Sequence, residues 1–220
     1  MRLLGIDPGL ANTGWAVIDI NDAGEFLVDC GVERTSKGRI ALAKTRCEDD
    51  MERLDVLVKG VVQAVQKHSV DIAAVEGRAG SRNARAAEAM SLSFASIMTS
   101  LYLVGVSRIV VSPQKVKKLV ADHIKGNVSP KGPIMEEVRY RLGPSVFDEK
   151  LEGFPKRSHE HIYDAAGVAL ASLNHPAIMF IRRREMQASG TDEETKSVRE
   201  AVNLGGLHNS GVGREGGGVF

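Results

Sequence analysis

The chain is 220 residues long, 43% hydrophobic and 26% charged, which is enough material for one good core and a terminal extension. Its longest apolar runs, such as 109–111 and 165–171, are far shorter than the roughly 20 residues that a membrane-spanning helix needs. The first residues include Asp7 and Pro8 and lack the unbroken apolar stretch of a signal peptide. Composition therefore predicts a cytoplasmic protein without a transmembrane segment.

The net charge is only +1, but the basic residues are unevenly distributed. From Arg108 to Arg141 there are eight Lys or Arg against three Asp or Glu. A second group consists of the arginines Arg78, Arg82 and Arg85. Concentrated positive charge is typical of a surface that binds nucleic acid, and equally of an ordinary solvated face. Charge alone leaves both interpretations open.

The two cysteines, Cys30 and Cys47, do not form a CxxC pair. That excludes a disulfide framework and a zinc ribbon. We expect both thiols to be reduced packing residues.

The first predicted elements are strands at 2–7, 13–20 and 25–35, and the short turns between them predict an antiparallel meander. A long amphipathic helix over about 43–68 follows, with apolar residues at helical spacing. Those residues are Met51, Leu54, Val58, Val61 and Val65.

The middle of the chain alternates between strand and helix. A strand at 70–76, a helix at 81–102 and a strand at 108–111 predict parallel neighbours. Short helices are expected at 113–121 and 133–142. The whole order predicts an α/β fold of the RNase H-like type: a mixed five-stranded sheet, three antiparallel strands followed by parallel additions, flanked by helices.

The last predicted elements are a loop over 143–155 and a helix over 158–173 with Ser158 as its N-cap. Further on, the composition turns to Gly, Ser, Thr, Glu and Asn with few apolar residues. We therefore expect one domain over 1–180 and a disordered tail over 181–220.

Two acids fall where solvated acids are not expected, since Asp7 and Glu76 end apolar strands. A buried carboxylate without a partner costs several kcal/mol, so both need cations or donors nearby. A divalent metal is one such partner. Capping of a loop, or pairing with an arginine, is the other interpretation for either acid taken singly.

The helix over 158–173 carries His161 and Asp164 at i and i+3 among Ala, Val and Leu, so both side chains point to the same side. Small residues at 165–167 and 169 would let this helix approach the sheet closely. Asp164 is hard to explain as a structural residue, whereas His161 alone could be a satisfied core histidine. Glu160, four residues before Asp164, is a rival ligand.

Three carboxylates and a histidine suit Mg²⁺ or Mn²⁺ better than zinc. Two such ions can activate a water and stabilise the leaving oxygen of a phosphodiester, which predicts hydrolytic strand cleavage. His161 lowers the negative charge of the set. It either weakens binding of the second ion or helps to orient the water, and the sequence does not decide between these.

Four segments in order resemble the RuvC Holliday-junction resolvases: LLGIDPGLANTGWAVID, AAVEG, SPQKVKKLV and HEHIYDAAGVALA. The resemblance covers about residues 1–175 and fits cellular and phage-type members. It implies that Asp7, Glu76, His161 and Asp164 occupy the catalytic, metal-binding positions, and that Lys117 and Lys131 lie near the scissile phosphate, with Lys131 in the catalytic set. The two basic stretches supply the expected DNA contacts: Arg78, Arg82, Arg85, Lys115, Lys117, Lys118, Lys125 and Lys131.

In one respect the chain departs from the resembled family. Many relatives have an aromatic residue about three positions after the strand-end Glu, thought to wedge into the junction, whereas Arg78 to Gly80 follow Gly77 here. Arginines bind phosphates or stack on bases, so recognition of branched DNA by shape and charge is expected. Cleavage-site sequence preference stays open.

The resemblance further implies a homodimer that cuts two opposed strands of a four-way DNA junction, and the two-fold character of that substrate suits a dimer. The helix over 81–102 is the candidate interface, with core packing as the alternative for at least one of its faces. Rival functions are a YqgF-like RNA-processing nuclease and a branched-DNA binding protein without resolvase activity. An actin-like or sugar-kinase-like ATPase is disfavoured, because no second phosphate loop is present.

Overall fold

The structure, a computed structural model, describes residues 1–35, 45–77, 83–119 and 131–184. The chain divides into two units, Met1–Met179 and Phe180–Phe220, and every element named below lies in the first. Of the tail predicted over 181–220, residues 181–184 are helical and residues 185–220 lie outside the described residues, as do Arg78, Arg82 and Lys125. Among the described helices, none has the length and apolar character needed to cross a bilayer.

A five-stranded sheet forms the centre of the first unit, with the strands in the order β3-β2-β1-β4-β5. The antiparallel pairs are β1 with β2 and β2 with β3, and the parallel pairs are β1 with β4 and β4 with β5. The predicted mixed sheet is confirmed. Its strands are β1 Arg2–Asp7, β2 Asn12–Asn21, β3 Gly24–Arg34, β4 Ile72–Glu76 and β5 Ser107–Val111.

Helices cover both faces of this sheet. On one face α1 and α2 contribute Val61, Val65, Ile97 and Leu101 to an apolar core that also contains residues of β1, β2 and β4. On the other face α6 packs against β1 and β2. The helices are α1 Arg46–His68, α2 Ala84–Leu103, α3 Pro113–Lys118, α4 Lys131–Leu142, α5 Pro144–Leu151 and α6 Lys156–Ser172.

The expected loop over 143–155 is wrong, because α5 occupies most of it. Gly143 takes a positive φ of 89° before Pro144, whose ring suits the first turn of a helix. Phe147 and Leu151, one turn apart, are buried, and Phe147 stacks on Tyr163 with ring centroids 5.0 Å apart. Burial of Phe147 and Leu151 therefore stabilises a helix that the composition of the segment does not predict.

The expected cap at Ser158 is also wrong. Helix α6 begins at Lys156 after Pro155, so Ser158 lies inside the first turn. Its side chain is buried, and its hydroxyl has no hydrogen-bond partner among the described atoms.

Helix α1 buries a different stripe from the predicted one in its first half. Met51 is 61% exposed, whereas Asp50 and Arg53 are buried. Arg53 donates from Nε to the Thr35 hydroxyl at 2.9 Å, so a polar network fixes the rotation of the helix there. Cys47, expected to pack, is exposed in this first turn, whereas Cys30 is buried as expected.

Candidate active site

Asp7 and Glu76 lie side by side at the carboxyl ends of β1 and β4. The two strands are parallel, with Ile6 opposite Val75, so the next residue of each strand is the acid. Neighbouring strands are about 4.8 Å apart, and residues in register on them point to the same face. The sheet therefore brings together two carboxylates separated by 69 positions of chain.

Two glycines of the sheet bring α6 to these acids. A Cβ on Gly5 would overlap the carbonyl oxygen of Ala165, and a Cβ on Gly14 would overlap that of His161. Gly14 is the residue of β2 that pairs with Asp7. The backbone of α6 thus lies directly on the sheet at the level of the acid, and His161 and Asp164 face it.

The His161 imidazole contacts Asp7 directly. Its Nδ1 lies 3.0 Å from Oδ2 of Asp7, and the two side chains are 29% and 18% exposed. This hydrogen bond raises the pKa of His161, and the charges of Asp7, Asp164 and Glu160 act in the same direction, against the effect of burial. His161 is therefore not a core histidine satisfied by the backbone but part of the acidic cluster.

The remaining two acids are destabilised as anions. Burial, followed by the charges of Asp7 and Asp164, raises the pKa of Glu76 to about 8. Burial, followed by the charges of Asp7 and Glu160, raises the pKa of Asp164 to about 6. A side-chain hydrogen bond to Asp7 raises the pKa of Glu76 further. The carboxyl groups of Asp7, Glu76 and Asp164 thus lie together in a partly buried space. The positive charge around them does not balance their negative charge.

The described residues contain no set of three or more His, Cys, Asp or Glu side chains whose donor atoms already surround one metal position. The polar groups of the acidic cluster instead contact one another, because Asp7 contacts both His161 and Glu76. The four residues predicted as ligands are therefore close together: Asp7 contacts His161 and Glu76, and the charge of Asp164 acts on both Glu76 and His161.

Two lysines border the cluster. The charge of Lys117, on α3, lowers the pKa of Glu76. Lys131, the first residue of α4, forms an ion pair with Glu160, and this contact, aided by the charges of Asp164 and Asp7, raises the pKa of Lys131. Glu160 thus binds a lysine at the mouth of the site. Lys115 and Lys118 are exposed on α3.

Arg85 has an internal partner. Its guanidinium lies 2.6 Å from Asp50, which is buried in α1, and 3.3 Å from Glu88. The side chain is one-third exposed. The structure therefore gives Arg85 a role in joining α2 to α1, which the prediction of a DNA contact did not anticipate.

Two glycines in the sequence also indicate the close approach of α6. Gly5 and Gly14 stand inside strands, where glycine weakens the sheet unless another backbone approaches closely. We attributed the approach to small residues on the helix, and Ala165, Ala166 and Gly167 are indeed buried. The sheet contributes equally, through the two positions without a side chain.

Comparison with known proteins agrees with this geometry. The family model described as Crossover junction endodeoxyribonuclease RuvC matches residues 3–129. The protein of that name from Prochlorococcus marinus (strain AS9601) is 31% identical over 182 residues, which cover 79% of this chain and 97% of the relative. The one from Prochlorococcus marinus (strain MIT 9313) is 37% identical over 76 residues, which cover 34% of this chain and 44% of the relative.

Solved structures share the fold. The T. thermophilus RuvC in complex with Holliday junction substrate has a TM-score of 0.59 at 22% identity, with 78% of this chain and 92% of that one covered. The yeast mitochondrial Holliday junction resolvase Ydc2 has a TM-score of 0.56 at 12% identity, with 84% and 85% covered. The RNase H-like fold predicted from the order of elements is confirmed. By its match to the family model and to a full-length relative, the chain belongs to the RuvC family of crossover junction endodeoxyribonucleases.

Proposed function

We propose that this protein is a metal-dependent endonuclease that cuts opposed strands of four-way DNA junctions. The observation that carries the proposal is the convergence of Asp7, Glu76, Asp164 and His161 on one edge of the sheet in a member of this family.

The donor set fits a hard divalent cation. Carboxylate oxygens are the ligands that Mg²⁺ and Mn²⁺ prefer, and the raised pKa values of Glu76 and Asp164 reflect negative charge that a cation would neutralise. Asp7, Glu76, Asp164 and His161 would hold one or two such ions. A cation held there would supply a water of lowered pKa and would stabilise the leaving oxygen of the phosphodiester.

The chain's own residues prepare this site in three ways. Asp7 accepts the hydrogen bond that orients the His161 ring. The apolar strands behind Asp7 and Glu76 exclude water from one side of the cluster, which strengthens electrostatic interactions within it. Lys117 and Lys131 border the cluster with positive charge and would attract the phosphates that flank the scissile bond.

Assembly as a homodimer through α2 is part of the proposal. Four of the 20 residues of α2 are buried within the chain: Ser93, Ile97, Ser100 and Leu101. Its outer surface exposes Leu92 by 37% and Leu103 by 76%. An apolar helix face of this kind supports an interface between copies, and a two-fold dimer would present two active sites to opposed strands.

The experiment that tests the function compares substrates. With Mg²⁺ or Mn²⁺, the purified protein should nick a synthetic four-way junction at paired positions on opposed strands. Asp7→Asn should bind the junction without cutting it. The cut positions are read on denaturing gels with each strand labelled in turn.

A linear duplex and a structured RNA of equal length serve as controls. Equal cutting of duplex and junction would refute junction selectivity while leaving a nuclease. Preferential cutting of the RNA would instead favour the RNA-processing alternative. Full activity in the presence of a chelator would contradict the metal-dependent mechanism.

A further inference from the structure

A groove opens at the end of the sheet that carries Asp7. It has a volume of about 880 Å³ and lies between the end of β3 and the first turn of α6. Its walls include Asn12, Arg34, Val56 and Arg157. The predicted DNA-binding residues did not include any of these.

Val56 and Glu33 line this groove from the α1 side, whereas the alternation of side chains along the strands places Asn12 and Arg34 on the catalytic face of the sheet. Gly14, whose missing side chain would point at His161, pairs with Val32 on β3. Two residues further along these strands, Asn12 pairs with Arg34. Residues two apart on a strand point to the same face. Asn12 and Arg34 therefore project on the side of α6, as Asp7 does.

Arg157 reaches the groove from the helix. It lies four residues before His161, which is about one turn, so both side chains lie on nearly the same side of α6. Arg157 is exposed and Arg34 half-buried. Within the described ranges, neither guanidinium forms an ion pair with a carboxylate.

The acid in the groove wall does not neutralise these arginines. Glu33 accepts a hydrogen bond from Nε1 of Trp15 at 3.1 Å, and a Cβ on Gly60 of α1 would overlap its carboxyl group. Its side chain therefore points toward α1, on the opposite face of the sheet from Arg34. In the part of the chain that the structure describes, no carboxylate pairs with the guanidinium groups of Arg34 and Arg157 on the α6 side.

Positive charge thus flanks the acidic cluster on both sides. In the strand order, Arg34 on β3 lies two strands from Asp7 on one side, and Lys117 follows β5 on the other side, next to Glu76. Strand spacing and rise per residue put the Arg34 backbone about 12 Å from that of Asp7. That distance corresponds to about two nucleotides along one strand of a B-form DNA arm, because successive phosphates both advance along the helix axis and turn about it.

We propose that this groove binds the sugar-phosphate backbone of the DNA arm that leaves the cleavage site on the β3 side, with Arg34 and Arg157 as the phosphate contacts. The inference rests on the proposed function, because it takes the acidic cluster as the position of the cut. Guanidinium groups bind phosphate oxygens in a bidentate manner and carry no sequence preference in doing so. The groove extends the substrate contact beyond the lysines beside the active site.

The test measures junction binding by the full-length Asp7→Asn protein as a function of salt concentration. Adding Arg34→Gln and Arg157→Gln together should lower the affinity and reduce the slope of log K against log salt by about 2, since each phosphate contact contributes about 0.9. The matched control, Lys67→Gln with Arg141→Gln, also removes two positive charges. These charges pair with Asp29 and Glu25, which precede Arg34 on β3. The control should leave the slope unchanged, and thermal melting verifies that each variant is folded.

A second measurement locates the contact. Neutral methylphosphonate linkages are placed one at a time along the cleaved strand. Affinity should drop at a linkage about two nucleotides from the cut on one side, and the Arg34→Gln/Arg157→Gln protein should be insensitive at that linkage.

Equal slopes for the groove variant and the parent would overturn the inference, as would equal losses in the groove and control variants. Retained junction selectivity alongside such a result would leave the proposed function intact. Conversely, a lowered slope in a protein that cuts no junction would support phosphate binding in the groove and refute the resolvase activity.

Discussion

Of the acids in the cluster whose pKa is raised, Glu76 has the largest increase. Burial and the charges of Asp7 and Asp164 raise its pKa from an ordinary 4.5 to about 8. Between these two values the folded protein holds a proton on Glu76 that the unfolded chain releases. The folded state is therefore favoured at low pH by this group, and the contribution is lost as the pH rises through 8.

We predict that the metal-free protein loses stability between pH 6 and pH 8 and that Glu76→Gln removes part of this loss. Glutamine cannot ionise, so the buried negative charge no longer develops. The midpoint of thermal unfolding in chelator, measured across this range, reports the difference, at about 2 to 4 °C for each kcal/mol.

The mechanism also predicts the effect of metal. Excess Mg²⁺ or Mn²⁺ should reverse the loss for the parent protein at pH 8, because the cation stabilises the ionised form, and should do so less for Glu76→Gln. Parallel pH profiles for the two proteins in chelator would contradict the assignment of Glu76 to a charge-crowded site.

At the scale of elements, the active site depends on contact between α6 and the sheet without intervening side chains. We predict that Gly14→Ala lowers stability by about 1 to 3 kcal/mol, the usual range for overpacking. It should also strongly reduce cutting, because the added methyl pushes the backbone at His161 away from Asp7. Thermal unfolding and initial rates on a four-way junction measure the two effects.

Gly153→Ala is the matched control for this substitution. No heavy atom lies within 4 Å of the position that its Cβ would take, so stability and rate should stay close to those of the parent. A normal rate in Gly14→Ala would mean that the spacing between helix and sheet does not set the geometry of the site.

At the scale of the whole molecule, the proposed activity requires two copies acting on one junction. We predict that Leu92→Glu combined with Leu103→Glu shifts the dimer toward monomer, because buried charge disfavours an apolar interface. Sedimentation equilibrium measures the assembly. On a plasmid with an extruded cruciform, the variant should give nicked circles, whereas the parent gives linear product from paired cuts.

The control for surface charge is Met51→Glu with Tyr140→Glu. These side chains are 61% and 83% exposed on α1 and α4, outside the proposed interface. Their double variant adds the same charge and should stay dimeric. Monomers from both variants would show that added negative charge, rather than the α2 surface, controls assembly.

Much of this protein can be deduced from local pattern. The alternation of apolar residues and the positions of turns predict the mixed sheet, because strand pairing follows from the lengths of the connections. Asp7, Glu76, His161 and Asp164 are recognisable as candidates because each is a polar residue in an apolar element. Their roles as ligands remain a prediction.

The remaining features depend on partners that are distant in the chain. Arg85 contacts Asp50 across 35 positions, and that contact, together with the hydrogen bond of Arg53 to Thr35, sets which side of α1 faces inward. Helix α5 is stabilised by the stacking of Phe147 on Tyr163 of α6. Arg34 and Arg157 meet in one groove only because α6 folds back over β3. The periodicity of a segment specifies whether it forms a helix or a strand. The rotation of a helix about its axis and the elements that it contacts depend on packing against other parts of the chain, so they cannot be deduced from one segment alone.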